Sequence, residues 1–150
     1  DITVPNISAA ASRGALKGAR GNSGVILSQL LRGMAVPLAS AELIDGMLLA
    51  AAMRQGVEMA YKAVMKPKEG TILTVARVVA DACQSEARRS NSVYSVIDTA
   101  LSEGAKILAQ TTEMLPQLKK AGVVDAGGQG LMFIYEAFSK VIHGEYIPDA

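Results

Sequence analysis

Three short stretches of the chain concentrate residue types suited to holding an anion. They read Gly18-Ala19-Arg20-Gly21-Asn22-Ser23-Gly24, Lys66-Pro67-Lys68-Glu69-Gly70-Thr71 and Val124-Asp125-Ala126-Gly127-Gly128-Gln129-Gly130, and each immediately precedes an apolar run of helical period. The first four N–H groups of a helix have no intrahelical acceptor, and the helix dipole places partial positive charge beside them. Glycine at such a point admits positive φ and lets backbone approach phosphate oxygens without an intervening Cβ, while Asn22 and Ser23 add side-chain donors. GARGNSG is therefore a chemically sensible phosphate cradle. It lacks the Gly-Lys-Ser/Thr ending of a Walker A loop, and no strand precedes it as a dinucleotide fingerprint requires. Spacing alone leaves a second reading open, in which Gly14, Gly18, Gly21 and Gly24 form a small-residue stripe between two closely packed helices. By the same logic Asp125 reads as an N-cap, and Thr71 as a cap before it reads as a ligand contact.

Other side chains with chemical potential fit ordinary roles better. Arg20 beside the cradle has the character of an arginine finger, yet a solvated turn arginine is the simpler reading. Lys66 and Lys68 form a small basic patch that either steers an anion or solubilises a turn. His143 is the single histidine, and it falls near a helix C-terminus without a second histidine to share a metal. Cys83 lies on an apolar helix face as a small hydrophobe. Met47, Met53, Met59 and Met65 recur every six residues, a step that drifts around a helix and spreads them over core contacts.

The elements that carry these turns are helices throughout. Apolar residues recur at close to 3.6 residues, and no stretch alternates with a period of two. The pattern predicts a first helix from residue 6 to about 19, with Asn6 or Ser8 as N-cap, and a short turn around Arg20 to Ser23. A second helix carries VILSQLLRGM and ends before Pro37. A third starts at Ser40, places Leu43, Met47, Ala50, Val57, Tyr61 and Val64 on one stripe and ends near Met65; Arg54 interrupts the stripe and snorkels. A fourth presents Ile72, Val75, Val79 and Ala82, with Arg88 and Arg89 near its negative end. Ser90-Asn91-Ser92 breaks the chain before a fifth helix marked by Val93, Ile97, Leu101 and Leu108. A sixth spans Thr112 to Ala121 with Pro116 near its first turn and Gly122 closing it. The seventh carries Leu131, Ile134, Phe138 and Val141, with Gly144 just past its end. Seven helices joined by short connections predict an all-α antiparallel bundle or barrel. Alternate helix ends then share one rim, so three glycine turns at that rim would build a pocket.

Composition narrows the function classes. The 150 residues are 50% hydrophobic and 19% charged, too apolar for disorder and sized for one domain. Fifteen Lys and Arg nearly cancel fourteen Asp and Glu, and aromatics are 4%, which disfavours a dedicated nucleic-acid binder. The longest apolar run, Met47 to Met53, is seven residues, far short of the ~20 that a membrane span needs. One cysteine excludes an intrachain disulfide framework, and the cytoplasm is the expected compartment.

Taken together, GARGNSGVILSQLLRG, AYKAVMKPKEGTILTVARVVAD and GVVDAGGQGL, spread over most of residues 13 to 145, resemble the N-terminal kinase domain of bacterial fatty acid kinase. That domain is itself similar to the nucleotide-binding L subunit of dihydroxyacetone kinase. The resemblance implies an all-α barrel of antiparallel helices binding ATP or ADP at one end, with Mg2+ bridging the phosphates. By match, Gly21, Asn22, Ser23 and Gly24 would line the phosphates. Thr71, with Ile72 and Leu73 behind it, would sit near the adenosine, and Asp125, Gly127 and Gly128 would close the opposite side. The acceptor implied is a fatty acid presented by a separate lipid-binding partner protein and converted to an acyl phosphate; in the relative it is dihydroxyacetone. The family's Asp-Gly-Asp-Thr-Gly magnesium motif is not found, and Asp1, followed by Ile-Thr-Val, does not replace it. The expectation is therefore a single nucleotide-binding kinase domain over residues 1–150 lacking its N-terminal helix or helices. Metal ligands would lie upstream of Asp1, further domains of the polypeptide would follow, and the fragment alone would be inactive; catalytic residues are not assigned. The competing expectation is a non-catalytic helical interaction module.

Overall fold

The computed structural model describes residues 2–145; Asp1, weighed above as a lone acid, lies outside the described residues. Those residues form seven helices and no strand: α1 (Val4–Gly18), α2 (Gly21–Leu38), α3 (Gly46–Ala63), α4 (Ile72–Arg89), α5 (Val93–Met114), α6 (Pro116–Ala121) and α7 (Ala126–Ile142). The all-α, seven-helix expectation holds, but capping chemistry moves several ends. Thr3, not Asn6 or Ser8, caps α1, its Oγ1 accepting from the Asn6 N–H at 3.2 Å. α2 continues through Pro37 instead of stopping before it. One helical residue follows that proline, so the missing donor does not interrupt a continuing ladder. Asp45 rather than Ser40 starts α3, accepting from the Leu48 N–H at 2.8 Å, and Leu43, assigned above to the stripe, is 86% exposed in the connection. Met65 likewise falls beyond the end of α3.

The sixth helix divides from its expected start. Thr112 to Met114 complete α5, and Leu115 is extended at φ −121° because the following Pro116 disfavours helical geometry in its neighbour. The glycine stretches at either end of the sequence also belong mostly to helices, since α2 begins at Gly21 and α7 at Ala126. Only Ala19 and Arg20 lie between α1 and α2, a shorter link than the expected turn to Ser23.

α4 runs through the centre, packed against α3, α5 and α7. Its Ile72, Leu73, Val75, Ala76, Val79, Ala80 and Cys83 are all buried, each large aliphatic contributing about 1.5–3 kcal/mol by leaving water. Cys83 behaves as the expected core hydrophobe: its Sγ sits 3.4 Å from the Val96 carbonyl, and burial pushes the thiol up to about 12. α2 and α3 approach closely where Gly33 meets Gly56. A Cβ on Gly33 would stand 2.5 Å from the Gln55 carbonyl oxygen and 2.6 Å from Gly56 Cα.

The alternating chain direction starts α2, α4 and α7 at one end and α3 and α5 at the other. At that second end the Met47 N–H donates to Asn91 Oδ1 at 2.7 Å, and His143 Nε2 lies 2.8 Å from Asp98 Oδ1. α1 packs along α2 and buries none of its own residues.

Candidate functional site

The first end is where the three glycine stretches meet. Gly127, in the first turn of α7, is the contact point: a Cβ there would lie 2.7 Å from Ser23 Oγ, 3.3 Å from Ile72 Cβ and 3.3 Å from Asp125 Oδ2. The opening turn of α2, the opening residue of α4 and the cap of α7 therefore crowd a single position. The expected convergence at one rim is present in the fold.

The helix starts gathered there are finished differently. Asp125 caps α7, its Oδ2 accepting from the Gly128 N–H at 2.8 Å, while its own N–H donates to Thr111 Oγ1 at 3.0 Å. Thr71 caps α4, its Oγ1 accepting from the Leu73 N–H at 3.3 Å and donating to the Lys68 carbonyl at 2.8 Å. Side chains also cap α1, α3 and α5, but α2 starts at Arg20 with no side-chain cap bond. Arg20 instead turns back, its guanidinium donating to the Ala19 carbonyl at 2.8 Å and reaching the Lys17 carbonyl at 3.5 Å. It covers the negative end of α1 and leaves the positive end of α2 uncapped by protein side chains.

The glycines divide the same way. Gly21 has φ +68°, and a Cβ on Gly14, Gly18 or Gly21 would meet nothing within 4 Å. Gly24 would make only ordinary contact with Ala19, 3.5 Å away. The stripe reading fails at Gly14, Gly18 and Gly21, which face open space. Close packing is served elsewhere, at Gly33, Gly46, Gly56, Gly104 and Gly128 among others, the last with Val75 Cγ2 2.9 Å from where its Cβ would be.

Of the residues singled out in the sequence, Gly21, Asn22 and Ser23 are exposed and Gly24 is half-buried. Thr71 and Asp125 are half-buried, with oxygens engaged as caps. Ile72 and Leu73 are core side chains, 3% and 2% exposed, so what they can offer a ligand is the backbone of α4's first turn. Gly128 is buried under its neighbours, and Gly127 lines the junction.

A polar network behind the second turn was not foreseen from sequence. Glu69 accepts from the Thr74 hydroxyl and pairs with Arg77 Nη2 at 3.0 and 3.1 Å; Arg77 Nε donates to Tyr61 Oη at 3.2 Å. The Thr74 Oγ1 in turn accepts from the Gly70 N–H at 2.9 Å. The Thr74 hydroxyl holds the Glu69 carboxyl below its ordinary range; burial opposes it and Arg77 adds to it. These contacts join five residues over 17 positions, and no periodic pattern announces them.

Among the described residues, no group of three or more His, Cys, Asp or Glu is placed to hold a metal ion. Surface hollows of about 610 Å³ beside Ile2–Ile7 and Ser40–Glu42, and of about 330 Å³ between α5 and α7, lie off the junction. No helix among the described residues is long and apolar enough to cross a membrane.

Residues 2–140 match the model of a family described as the DAK2 domain. The chain is 46% identical over 145 residues to Protein YloV of Bacillus subtilis (strain 168), an alignment covering 97% of the chain and 26% of that protein. It is 48% identical over 136 residues to an uncharacterised protein of Staphylococcus saprophyticus, SSP1546, and 47% identical over 136 residues to one of Staphylococcus haemolyticus, SH1689. Both alignments cover 91% of the chain and 25% of the relative. The chain spans about a quarter of the length of these curated relatives.

Proposed function

The chain belongs to the DAK2 domain family, and from that membership we propose that it is a kinase-type nucleotide-binding module taking ATP or ADP where α2, α4 and α7 begin. The observation that carries the reading is the uncapped start of α2: its glycine faces open space beside Ser23, at the junction of three helix starts. The backbone amides of Gly21 to Gly24 and the Asn22 and Ser23 side chains would hold the phosphates. Thr71 and the backbone at Ile72 and Leu73 would border the base and sugar, and Asp125, Gly127 and Gly128 would form the facing wall. A bound nucleotide supplies the transferable phosphoryl group. Arg20 does not have to leave those amides, because it is already turned onto the end of α1.

Magnesium assists phosphoryl transfer by neutralising charge. Among the described residues no three His, Cys, Asp or Glu side chains cluster to hold it, so no step is derived through it, and its carboxylates would come from outside the described residues. We read residues 1–150 as one such domain, N-terminally incomplete and inactive by itself, within a cytoplasmic polypeptide that has further domains. For the acceptor we favour a fatty acid presented by a separate lipid-binding protein over a dihydroxyacetone-type substrate, on the three sequence blocks alone.

Thermal unfolding of the full-length protein with ATP or ADP, with and without magnesium, tests the reading. Nucleotide at a hundred times its Kd should stabilise by about 2.7 kcal/mol. Absence of any shift, or a shift undiminished in Gly24→Phe, sinks it. A helical interaction module is the second reading, favoured by Ile7 and Leu16 of α1, 55% and 61% exposed; a nucleotide-insensitive protein would promote it.

A further inference from the structure

The second glycine turn is held from behind, on the side away from the junction. Ile72 and Val75 of α4 face the glycines of α7. Arg77 faces Tyr61 of α3, and Glu69 folds back from the turn to meet Arg77 and Thr74. Gly70, at φ +87°, is buried against the end of α5, where its Cβ would stand 2.8 Å from Met114 Cβ. Its N–H is committed to Thr74 Oγ1. The turn is thus gripped by α3, α4 and α5 together.

We propose that Glu69, Arg77 and Tyr61 are positioning residues: a clasp from α3 that fixes the Gly70–Thr71 turn, and with it the start of α4, in register with α2 and α7 for nucleotide. The chain of contacts is continuous. Tyr61 orients Arg77, Arg77 orients Glu69, Glu69 accepts from the Thr74 hydroxyl, and the Thr74 oxygen is left to accept from the Gly70 N–H. Loss of the carboxylate frees Thr74 and releases the backbone immediately before the Thr71 cap. None of the three residues needs to touch the ligand.

The same helix pair contains its own control. Arg54 of α3 pairs with Asp81 of α4 at 2.9 Å, far from the turn. This ion pair and the Tyr61–Arg77 hydrogen bond both tie α3 to α4, but only the second continues to the turn, through Arg77 and Glu69.

The inference rests on the nucleotide reading, and its test separates the two. ADP affinity of the full-length protein is measured for the wild type, Glu69→Gln, Arg77→Met, the double variant, Tyr61→Phe and Arg54→Ala, alongside hydrogen exchange of the Gly70 amide without nucleotide. Glu69→Gln and Arg77→Met should each weaken ADP about tenfold, and the double variant no further, because the pair acts as a unit. Tyr61→Phe should weaken it about threefold, and it carries the test if a charge variant fails to fold. The Gly70 amide should exchange faster in all four, while Arg54→Ala leaves both readouts unchanged. A wild type that does not bind ADP overturns the nucleotide reading and this inference with it. A wild type that binds, with clasp variants that bind equally well or no worse than Arg54→Ala, overturns the clasp alone.

Discussion

The first and third glycine stretches look alike in sequence and do opposite work in the fold. At the start of α7, Asp125 caps the helix and Gly128 is buried beneath Val75 and Leu108, so glycine there answers a packing demand. At the start of α2, no side chain caps the helix and Gly21 faces open space at positive φ, so glycine answers a demand of backbone conformation. One helix start is closed by the protein itself; the other is left for something else to close. Glycine content marks both, and only the neighbours distinguish them.

Substitutions can break this contrast, and the largest effect belongs to the packed side. Gly128→Val must push into Val75 and Leu108, and should cost about 3 kcal/mol in urea unfolding; a cost near zero would place the glycine in open space and erase the contrast. Asp125→Ala removes the cap of α7 and should cost about 1 kcal/mol by the same measurement. On the open side, Gly14→Ala fills unoccupied space in α1 and should stabilise by about 0.5–1 kcal/mol. Gly21→Ala should destabilise despite equal room, because φ +68° strains an L side chain. If both alanines stabilise, conformation is not what holds glycine at the open turn.

The smallest effect concerns the second turn, which the clasp closes. Glu69 is held below its ordinary value of 4.5 in the folded protein, chiefly by Thr74. A depressed folded value means that its contribution is complete above the ordinary value and is lost as pH falls through the lower folded one. Stability measured on acidification below pH 4.5 should therefore decline less steeply in Glu69→Gln than in the wild type.

Sequence periodicity revealed the helices because an amphipathic stripe is local: Val75, Val79 and Cys83 lie on the buried face that their spacing implies. Helix starts were less legible. Ser40 and Asp45 are both good caps, and the choice of Asp45 is supported by Asn91 of the opposite connection, which bonds both Asp45 and Met47. The function of each glycine was not legible at all from spacing. Gly127 is crowded by Ser23, and Gly33 by Gly56, partners that only the folded chain brings near. The clasp was hidden for the same reason, as only the folded chain brings Glu69 and Tyr61 together on Arg77.

α1 lies against α2 with no buried residue of its own. Its local opening should cost less than global unfolding, so its amides should exchange ahead of those in α4, with Arg20 detaching from the Ala19 and Lys17 carbonyls as it frays. That guanidinium would then be released beside the first amides of α2. An anion seated on those amides would attract that freed guanidinium, so by mass action its occupancy would favour the frayed end of α1 over the folded one. A helix that buries no residue of its own thereby becomes a reporter of occupancy at Gly21.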